Sequence, residues 1–198
     1  MGRPLASSVV TATPERILVA ARAEFAAVGF AQAKLADIAA RAGITRPSLL
    51  YHFGSKEELY RATVQSCFGR LAIALAEAMT GPSDFVARLR AVHARYSEFV
   101  TGDPDVARIV LRELLDGTGP GAEILLRQIA PVVAQVERFV HEQGRAFVPP
   151  GVPVRAAIMQ VSSDVLVRAA AGPLRIPLWG DGDHTLALLE QLLVKEEP

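Results

Sequence analysis

The stretch that decides the fold is residues 33–56, with the sequence AKLADIAARAGITRPSLLYHFGSK. Its first half carries apolar side chains at the spacing of one helix face, namely Leu35, Ile38, Ala39 and Ala42. Gly43 follows, and a glycine can adopt the positive φ that commonly ends a helix. The pattern therefore predicts a short helix that stops at Gly43.

A second short helix is predicted from Thr45 to about Phe53. The Thr45 hydroxyl can accept a hydrogen bond from the backbone N–H of Ser48, and Pro47 is well suited to the first turn because it has no N–H to leave unpaired. The inward positions are Leu49, Leu50 and Phe53, and the outer face consists of Arg46, Pro47, Ser48, Tyr51 and His52. Because a turn this short makes the two helices cross steeply, we interpret the stretch as a helix-turn-helix.

The local charge suits a nucleic-acid surface. A helix-turn-helix can place its second helix in the major groove of DNA. Residues 33–56 contain four cations and one acid, although the whole chain has a net charge of +0. The cations are Lys34, Arg41, Arg46 and Lys56. The alternative that these residues leave open is a helical corner that never touches nucleic acid.

The surrounding sequence helps to decide between a DNA-binding unit and a helical corner without nucleic acid. Residues 28–60, VGFAQAKLADIAARAGITRPSLLYHFGSKEELY, resemble the DNA-binding domain of the tetracycline-repressor (TetR) family of bacterial transcriptional regulators. The matching elements are Gly29-Phe30, Ile38-Ala39, Ala42-Gly43-Ile44-Thr45, Tyr51-His52-Phe53 and Ser55-Lys56-Glu57-Glu58-Leu59. The resemblance covers roughly Thr13 to Leu59. It implies an all-α protein that binds a palindromic DNA operator as a homodimer and responds to a small-molecule effector.

Two positions depart from the family pattern. The family usually has a hydroxyl residue where this chain has Ala33 and Lys34, so the expected cap of the first short helix is missing. Leu50 stands where the family often has a tyrosine that reaches a phosphate, and the neighbouring Tyr51 is the candidate to replace it.

We rank the candidate DNA contacts by side-chain chemistry. Arg46 is the first choice for a base contact because a guanidinium pairs bidentately with guanine. Ser48 and Tyr51 come next, and Pro47 can offer its ring to a thymine methyl. The expected phosphate contacts are Thr45, His52, Lys56 and Lys34.

We divide the chain into a DNA-binding domain with an N-terminal tail, residues 1–60, and a ligand-binding and dimerisation domain, residues 61–198. The tail is expected to be flexible, and Arg3 within it could reach a minor groove. A capping box, Ser55 with Glu58, starts a long helix that continues to about Met79. We expect this helix to be the only continuous element that could carry a displacement from one domain to the other.

The second domain is predicted to be helical and to enclose a mostly apolar cavity. The candidate lining residues are Phe68, Met79, His93, Tyr96, Phe99, Arg108 and Arg112. Ordinary core packing is the alternative for the first five of these residues, because an aromatic at helical spacing needs no ligand to explain it. The roles of Arg108, Arg112 and Glu113 are ambiguous. Arg112 could pair with Asp116 on the surface, whereas an inward Arg108 would select an anionic ligand.

The last two predicted helices contain more apolar residues than one layer of helices can cover. Their apolar stripes are formed by Ile158, Val161 and Val165 on one helix and by Leu186, Leu189 and Leu193 on the other. We predict that these residues form a dimer interface. In the family that the sequence resembles, this pair of helices forms a four-helix bundle with its mate.

The composition bears on other classes of protein. No apolar run approaches the ~20 residues that span a bilayer, and the single cysteine, Cys67, excludes an intramolecular disulfide framework and fits a reducing cytosol. Cys67 is expected to be a buried core residue, with a redox sensor as the alternative. The four histidines have no metal-ligand spacing, so we expect no metal, no cofactor and no enzyme.

The sequence thus predicts a cytoplasmic, ligand-responsive transcriptional repressor. The alternatives are an activator and a small-molecule-binding helical module without specific DNA binding.

Overall fold

The computed structural model describes residues 13–81 and 84–195. The described chain folds into ten α-helices and a short 3-10 turn at Gly172–Leu174, with no strand among these residues. The helices are α1 (Thr13–Gln32), α2 (Leu35–Arg41), α3 (Arg46–Phe53), α4 (Lys56–Thr80), α5 (Phe85–Gly102), α6 (Pro104–Asp116), α7 (Pro120–Gln143), α8 (Val154–Ala170), α9 (Arg175–Trp179) and α10 (Thr185–Leu193). The expectations for the N-terminal tail and Arg3 lie outside the described residues. The predicted all-α class, with an N-terminal helix-turn-helix followed by a helical domain, is confirmed.

Helices α1 to α3 form the N-terminal unit around one buried centre. Ile17, Phe25, Ile38 and Leu49 are all fully buried, and each such side chain contributes about 1.5–3 kcal/mol to folding. Regular helix in α1 ends at Gly29, whose φ of 77° and ψ of 169° are not helical. These contacts fix the orientation of α3 relative to α1 and α2.

The helix starts agree with the capping chemistry read from the sequence. The Thr45 hydroxyl accepts from the Ser48 N–H at 3.3 Å, and the Ser55 hydroxyl accepts from the Glu58 N–H at 3.0 Å. Helix α2 begins after Lys34 without any side-chain cap, as the missing hydroxyl indicated. The helix-turn-helix is therefore held mainly by its buried face.

Helix α4 runs from the N-terminal unit into the second domain, where it packs against α5 and α7. Tyr60 near its start is fully buried and packs edge-on against Phe25 and Phe30, with ring centroids 4.8 and 5.1 Å apart. Cys67 is also buried, as expected, and burial raises the pKa of its thiol.

A second connection between the two parts of the chain was not foreseen. Helix α6 packs along α1, and the Arg112 guanidinium donates to the Ala26 carbonyl at 2.7 Å and to the Ala27 carbonyl. Nearby, Arg22 on α1 lies 2.9 Å from Asp103 at the start of α6. Helix α4 is therefore not the only element that could carry a displacement between the two parts, because a side chain from α6 pairs with the last carbonyls of the regular part of α1.

The residues exposed on the C-terminal helices are not those of the predicted interface. Val161, Val165, Leu189 and Leu193 are buried within the chain itself, because α8 packs against α5, α6, α7 and α10. Ile158 and Leu186 are partly buried. The apolar side chains that remain exposed on these two helices are Met159, Val167 and Leu188, with exposures of 43%, 38% and 37%. The predicted stripe is thus largely core, and a neighbouring face is the exposed one.

Arg112→Ala is expected to lower the free energy of unfolding by about 1–2 kcal/mol, because it removes charge-assisted hydrogen bonds to two carbonyls, of which that of Ala26 is partly buried. Arg108→Ala is the matched control, since Arg108 lies on the same helix but forms an exposed ion pair with Asp105 at 2.9 Å. We expect that control to change stability by less than about 0.5 kcal/mol. Urea denaturation measures both. Equal losses in the two variants would contradict the proposed role of Arg112.

Candidate DNA-binding surface and ligand cavity

Helix α3 presents the polar face that the sequence indicated. Arg46, Pro47, Tyr51 and His52 are exposed, and Tyr51 keeps 87% of its surface. Leu49 on the opposite side is fully buried and anchors the helix to the N-terminal unit. The exposed face therefore combines a guanidinium, a hydroxyl-bearing aromatic ring and an imidazole, which together can contact base edges and phosphates.

Three further candidates frame this helix. Thr45 is exposed and uses its hydroxyl oxygen to cap α3, while Ser48 is partly buried. Lys34 is exposed at the start of α2. Leu50 is partly buried and Tyr51 is exposed, so Tyr51 is the neighbour that can offer a hydroxyl at the surface.

Lys56 is engaged inside the protein. Its ammonium donates to the carbonyls of Ala31 and Ala33 at 3.0 and 3.1 Å and lies 4.9 Å from the centre of the Phe30 ring. These contacts tie the segment between α1 and α2 to the start of α4. The sequence predicts a phosphate contact for Lys56, and the structure adds these contacts with its own backbone.

The second domain encloses a cavity of about 570 Å³ between α4, α5, α6, α7, α8 and α10. Its walls are mainly aliphatic and aromatic. Of the predicted ligand residues, Phe68, His93, Tyr96 and Phe99 line it. The lining residues Leu114, Leu126 and Met159 are 67%, 64% and 43% exposed, so the cavity opens to solvent beside α6, α7 and α8. A mostly apolar cavity of this size is typical of a small-molecule site.

The remaining three ligand candidates do not line this cavity. Met79 is a buried core residue near the far end of α4. Arg108 pairs with Asp105 on the surface, and Arg112 binds the end of α1. The suggested surface pairing of Arg112 with Asp116 is not among the ion pairs of the described residues. Helix α6 therefore turns both arginines away from the cavity.

Glu113 is the lining residue whose role the sequence left ambiguous. It is 5% exposed, and burial raises the pKa of its carboxyl although the Tyr60 hydroxyl and the Phe30 N–H act against this rise. The spacing contained a signal, because Glu113 follows Val106, Ile109 and Val110 at helical intervals on the apolar face of α6. An acid on such a face is buried by the packing of its neighbours.

A hydrogen-bonded chain crosses from α5 to α10 at the cavity wall. The Thr185 hydroxyl donates to Asp183 Oδ1 at 2.7 Å and lies 2.8 Å from His93 Nε2. Because the single hydroxyl proton goes to Asp183, His93 must donate its Nε2 proton to Thr185, which leaves Nδ1 as an acceptor. Burial lowers the pKa of His93, and this favours the neutral ring. The sequence gave no signal for this chain, which joins residues far apart along it.

Comparisons with known proteins agree with this architecture. The family described as "Bacterial regulatory proteins, tetR family" matches residues 17–63, which contain α2 and α3. This part of the chain therefore matches the TetR family. It is 34% identical over 95 residues to the HTH-type transcriptional activator FasR of Mycolicibacterium smegmatis, covering 48% of this chain and 43% of FasR.

Two further comparisons extend the likeness. The chain is 37% identical over 114 residues to the HTH-type transcriptional regulator RutR of Escherichia coli K12, covering 56% of this chain and 52% of RutR. It thus spans about half the length of the curated relatives it matches. The fold is similar to that of the transcriptional regulator FadR from Bacillus subtilis in complex with stearoyl-CoA, with a TM-score of 0.73 at 17% identity, covering 90% of this chain and 97% of that one.

These TetR-family relatives are named as transcriptional regulators and not as enzymes. Within residues 13–81 and 84–195, no helix is long and apolar enough to cross a membrane. In the same part of the chain, no group of three or more histidine, cysteine, aspartate or glutamate side chains is arranged to hold a metal ion.

Proposed function

We propose that this protein is a transcriptional regulator that binds operator DNA through α3 and is released by a small molecule bound in the cavity of the second domain. The observation that carries the proposal is one continuous arrangement of parts. An exposed cationic and aromatic recognition helix stands on a buried core, and helices α4 and α6 join that core to an apolar cavity of about 570 Å³.

The DNA-binding part of the proposal rests on the face of α3. Arg46 is placed to read a guanine, with Ser48, Pro47 and Tyr51 beside it on neighbouring base pairs. Thr45, His52 and Lys34 position the helix on phosphates. Lys56 donates to two carbonyls, and its third N–H can still contact a phosphate.

Dimerisation supplies the second half of the site. The exposed apolar residues Met159, Val167 and Leu188 lie on α8 and α10, the two helices that the family resemblance assigns to a four-helix bundle. We propose that this face is the dimer interface. Two recognition helices related by a two-fold axis would enter successive major grooves, so the operator would be a rough palindrome.

Release by the ligand follows from the two connections between the parts. A ligand that fits only one arrangement of α4 and α6 shifts the population toward that arrangement. Both helices contact α1, so the N-terminal unit would move with them and change the spacing of the recognition helices. Couplings of this kind are typically ~1–3 kcal/mol.

We further propose that residues 1–60 and 61–198 act as the DNA-binding and the effector-binding part, in the cytoplasm, and that bound dimers repress transcription by occluding a promoter. Activation is the second candidate, because the relative FasR is named an activator. A helical binding module without specific DNA binding is the remaining alternative. If the wild-type protein bound every duplex of a random pool with the same affinity, that alternative would be favoured.

Arg46→Ala is expected to reduce affinity for the selected operator about 10- to 100-fold, because a bidentate base contact is worth about 1–3 kcal/mol. Its affinity for an unrelated duplex should change far less. Fluorescence anisotropy at two salt concentrations measures both. Arg95→Ala is the control, since Arg95 lies on α5 and pairs with Glu98. The assignment of α3 fails if Arg46→Ala leaves the preference for the operator intact.

Leu188→Arg is expected to convert the dimer to monomer at micromolar concentration, because it places a charge in the proposed apolar interface. Ile73→Arg is the control, since Ile73 is a 61% exposed apolar residue on α4 and lies outside that interface. Sedimentation equilibrium distinguishes the states. A wild-type protein that sediments as a monomer, or a Leu188→Arg variant that stays dimeric, would contradict the interface.

A further inference from the structure

The cavity contains one acid that its surroundings do not balance. Glu113 is nine-tenths buried and lines the cavity. None of the ion pairs among the described residues includes it. Its neighbours Tyr60 and Phe30 offer a hydroxyl and a backbone N–H but no positive charge. Buried carboxylates in proteins are normally paired with a cation, so this one lacks the expected partner.

The position of the carboxyl is built into the fold. It lies against the first turn of α7, where a Cβ on Gly121 would come within 2.5 Å of Glu113 Oε2. Only glycine at 121 leaves the carboxyl its space. The N-terminal end of α7 is favourable to an anion at this point, but it supplies no full positive charge, and burial raises the pKa of the carboxyl.

The other polar groups of the cavity also lack a positive charge. His93 donates Nε2–H to Thr185 and keeps Nδ1 as an acceptor. The Tyr96 hydroxyl already donates to the Ser162 carbonyl at 2.9 Å. Arg155 is the one arginine in the lining, and it is exposed and paired with Glu137 at 2.8 Å. The described interior therefore offers acceptors and no unpaired cation.

We propose that the effector is a hydrophobic amine, whose ammonium group pairs with Glu113 while its apolar body fills the cavity between α4, α5, α7 and α8. This inference rests on the proposed effector function of the same cavity. The ammonium supplies the charge that Glu113 lacks, and the aliphatic walls bury the rest of the ligand. A carboxylate of the same length meets an acid at the same place and is disfavoured.

The site also explains how an amine would be sensed. Glu113 faces Tyr60 at the start of α4 and Phe30 at the end of α1, and the preceding residue, Arg112, binds the Ala26 carbonyl. An ammonium at Glu113 therefore lies at the junction where α6 meets the N-terminal unit. Glu113, which would bind the ammonium, and Arg112, which contacts α1, therefore lie within one turn of α6.

The test uses three probes of equal chain length, dodecylamine, dodecanol and dodecanoate, below their micellar concentrations. Each probe is titrated into the purified wild-type protein to displace Nile red, a neutral fluorescent dye. We expect dodecylamine to displace the dye at a concentration at least about 10-fold lower than the other two, because it alone forms a charged pair with Glu113. Glu113→Gln should remove that preference and leave displacement by dodecanol unchanged. Glu98→Gln, which alters an exposed acid on α5, should keep the preference.

Each other outcome has a definite meaning. Displacement by dodecanol or dodecanoate at the same concentration as dodecylamine overturns the amine inference and leaves the cavity as an effector site. Persistence of the amine preference in a helical, folded Glu113→Gln variant also overturns it. If Nile red does not bind the wild-type protein at all, the proposed effector function of the cavity fails, and the amine inference fails with it.

Discussion

The contact on which the rest of the structure depends is the one between Arg112 and the end of the regular part of α1. A helix end leaves its last carbonyls without partners inside the helix. Here the guanidinium of a residue from the second domain supplies the partners for Ala26 and Ala27. Gly29 then turns the chain with a positive φ, which brings Phe30 against Tyr60 and leads into α2. A side chain of the second domain thus contacts the end of the helix that precedes the helix-turn-helix.

This arrangement makes α6 the shared wall of the two parts. One face carries Arg112 toward α1, and the apolar face carries Val106, Val110 and Glu113 toward the cavity. A rotation or shift of α6 would displace the side chains on both faces. Helix α4 adds a second path, because its start packs under α1 and its later turns line the cavity with Phe68, Leu71 and Leu75. Coupling between the sites therefore needs no long chain of intermediates.

Much of this fold could be predicted from local features of the sequence. Thr45 and Ser55 cap the predicted helices, Gly29 and Gly43 take positive φ, and Leu49 is buried opposite an exposed Arg46. Capping, turn and periodicity signals act over a few residues, so they can be read from a short window. The aromatic residues Phe68, Tyr96 and Phe99 were placed at the cavity for the same reason.

The errors share a different physical cause. Arg112 and Val161 were misassigned because their partners are far away along the chain, at Ala26 and the core that α8 shares with α5 and α6. Periodicity shows that a face is apolar, but not whether its own chain or a second copy covers it. The hydrogen-bonded chain of Asp183, Thr185 and His93 could not be predicted for the same reason.

The central claim is that the cavity and the DNA-binding surface are coupled, and thermodynamic linkage offers its most direct test. An operator obtained by selection from random duplexes would be added to saturation, and the dissociation constant of Nile red from the cavity would be measured with and without it. Because coupling is reciprocal, the account predicts that operator DNA changes this constant by about 5-fold or more, and that an unrelated duplex does not. An unchanged constant in the presence of bound operator would contradict the account.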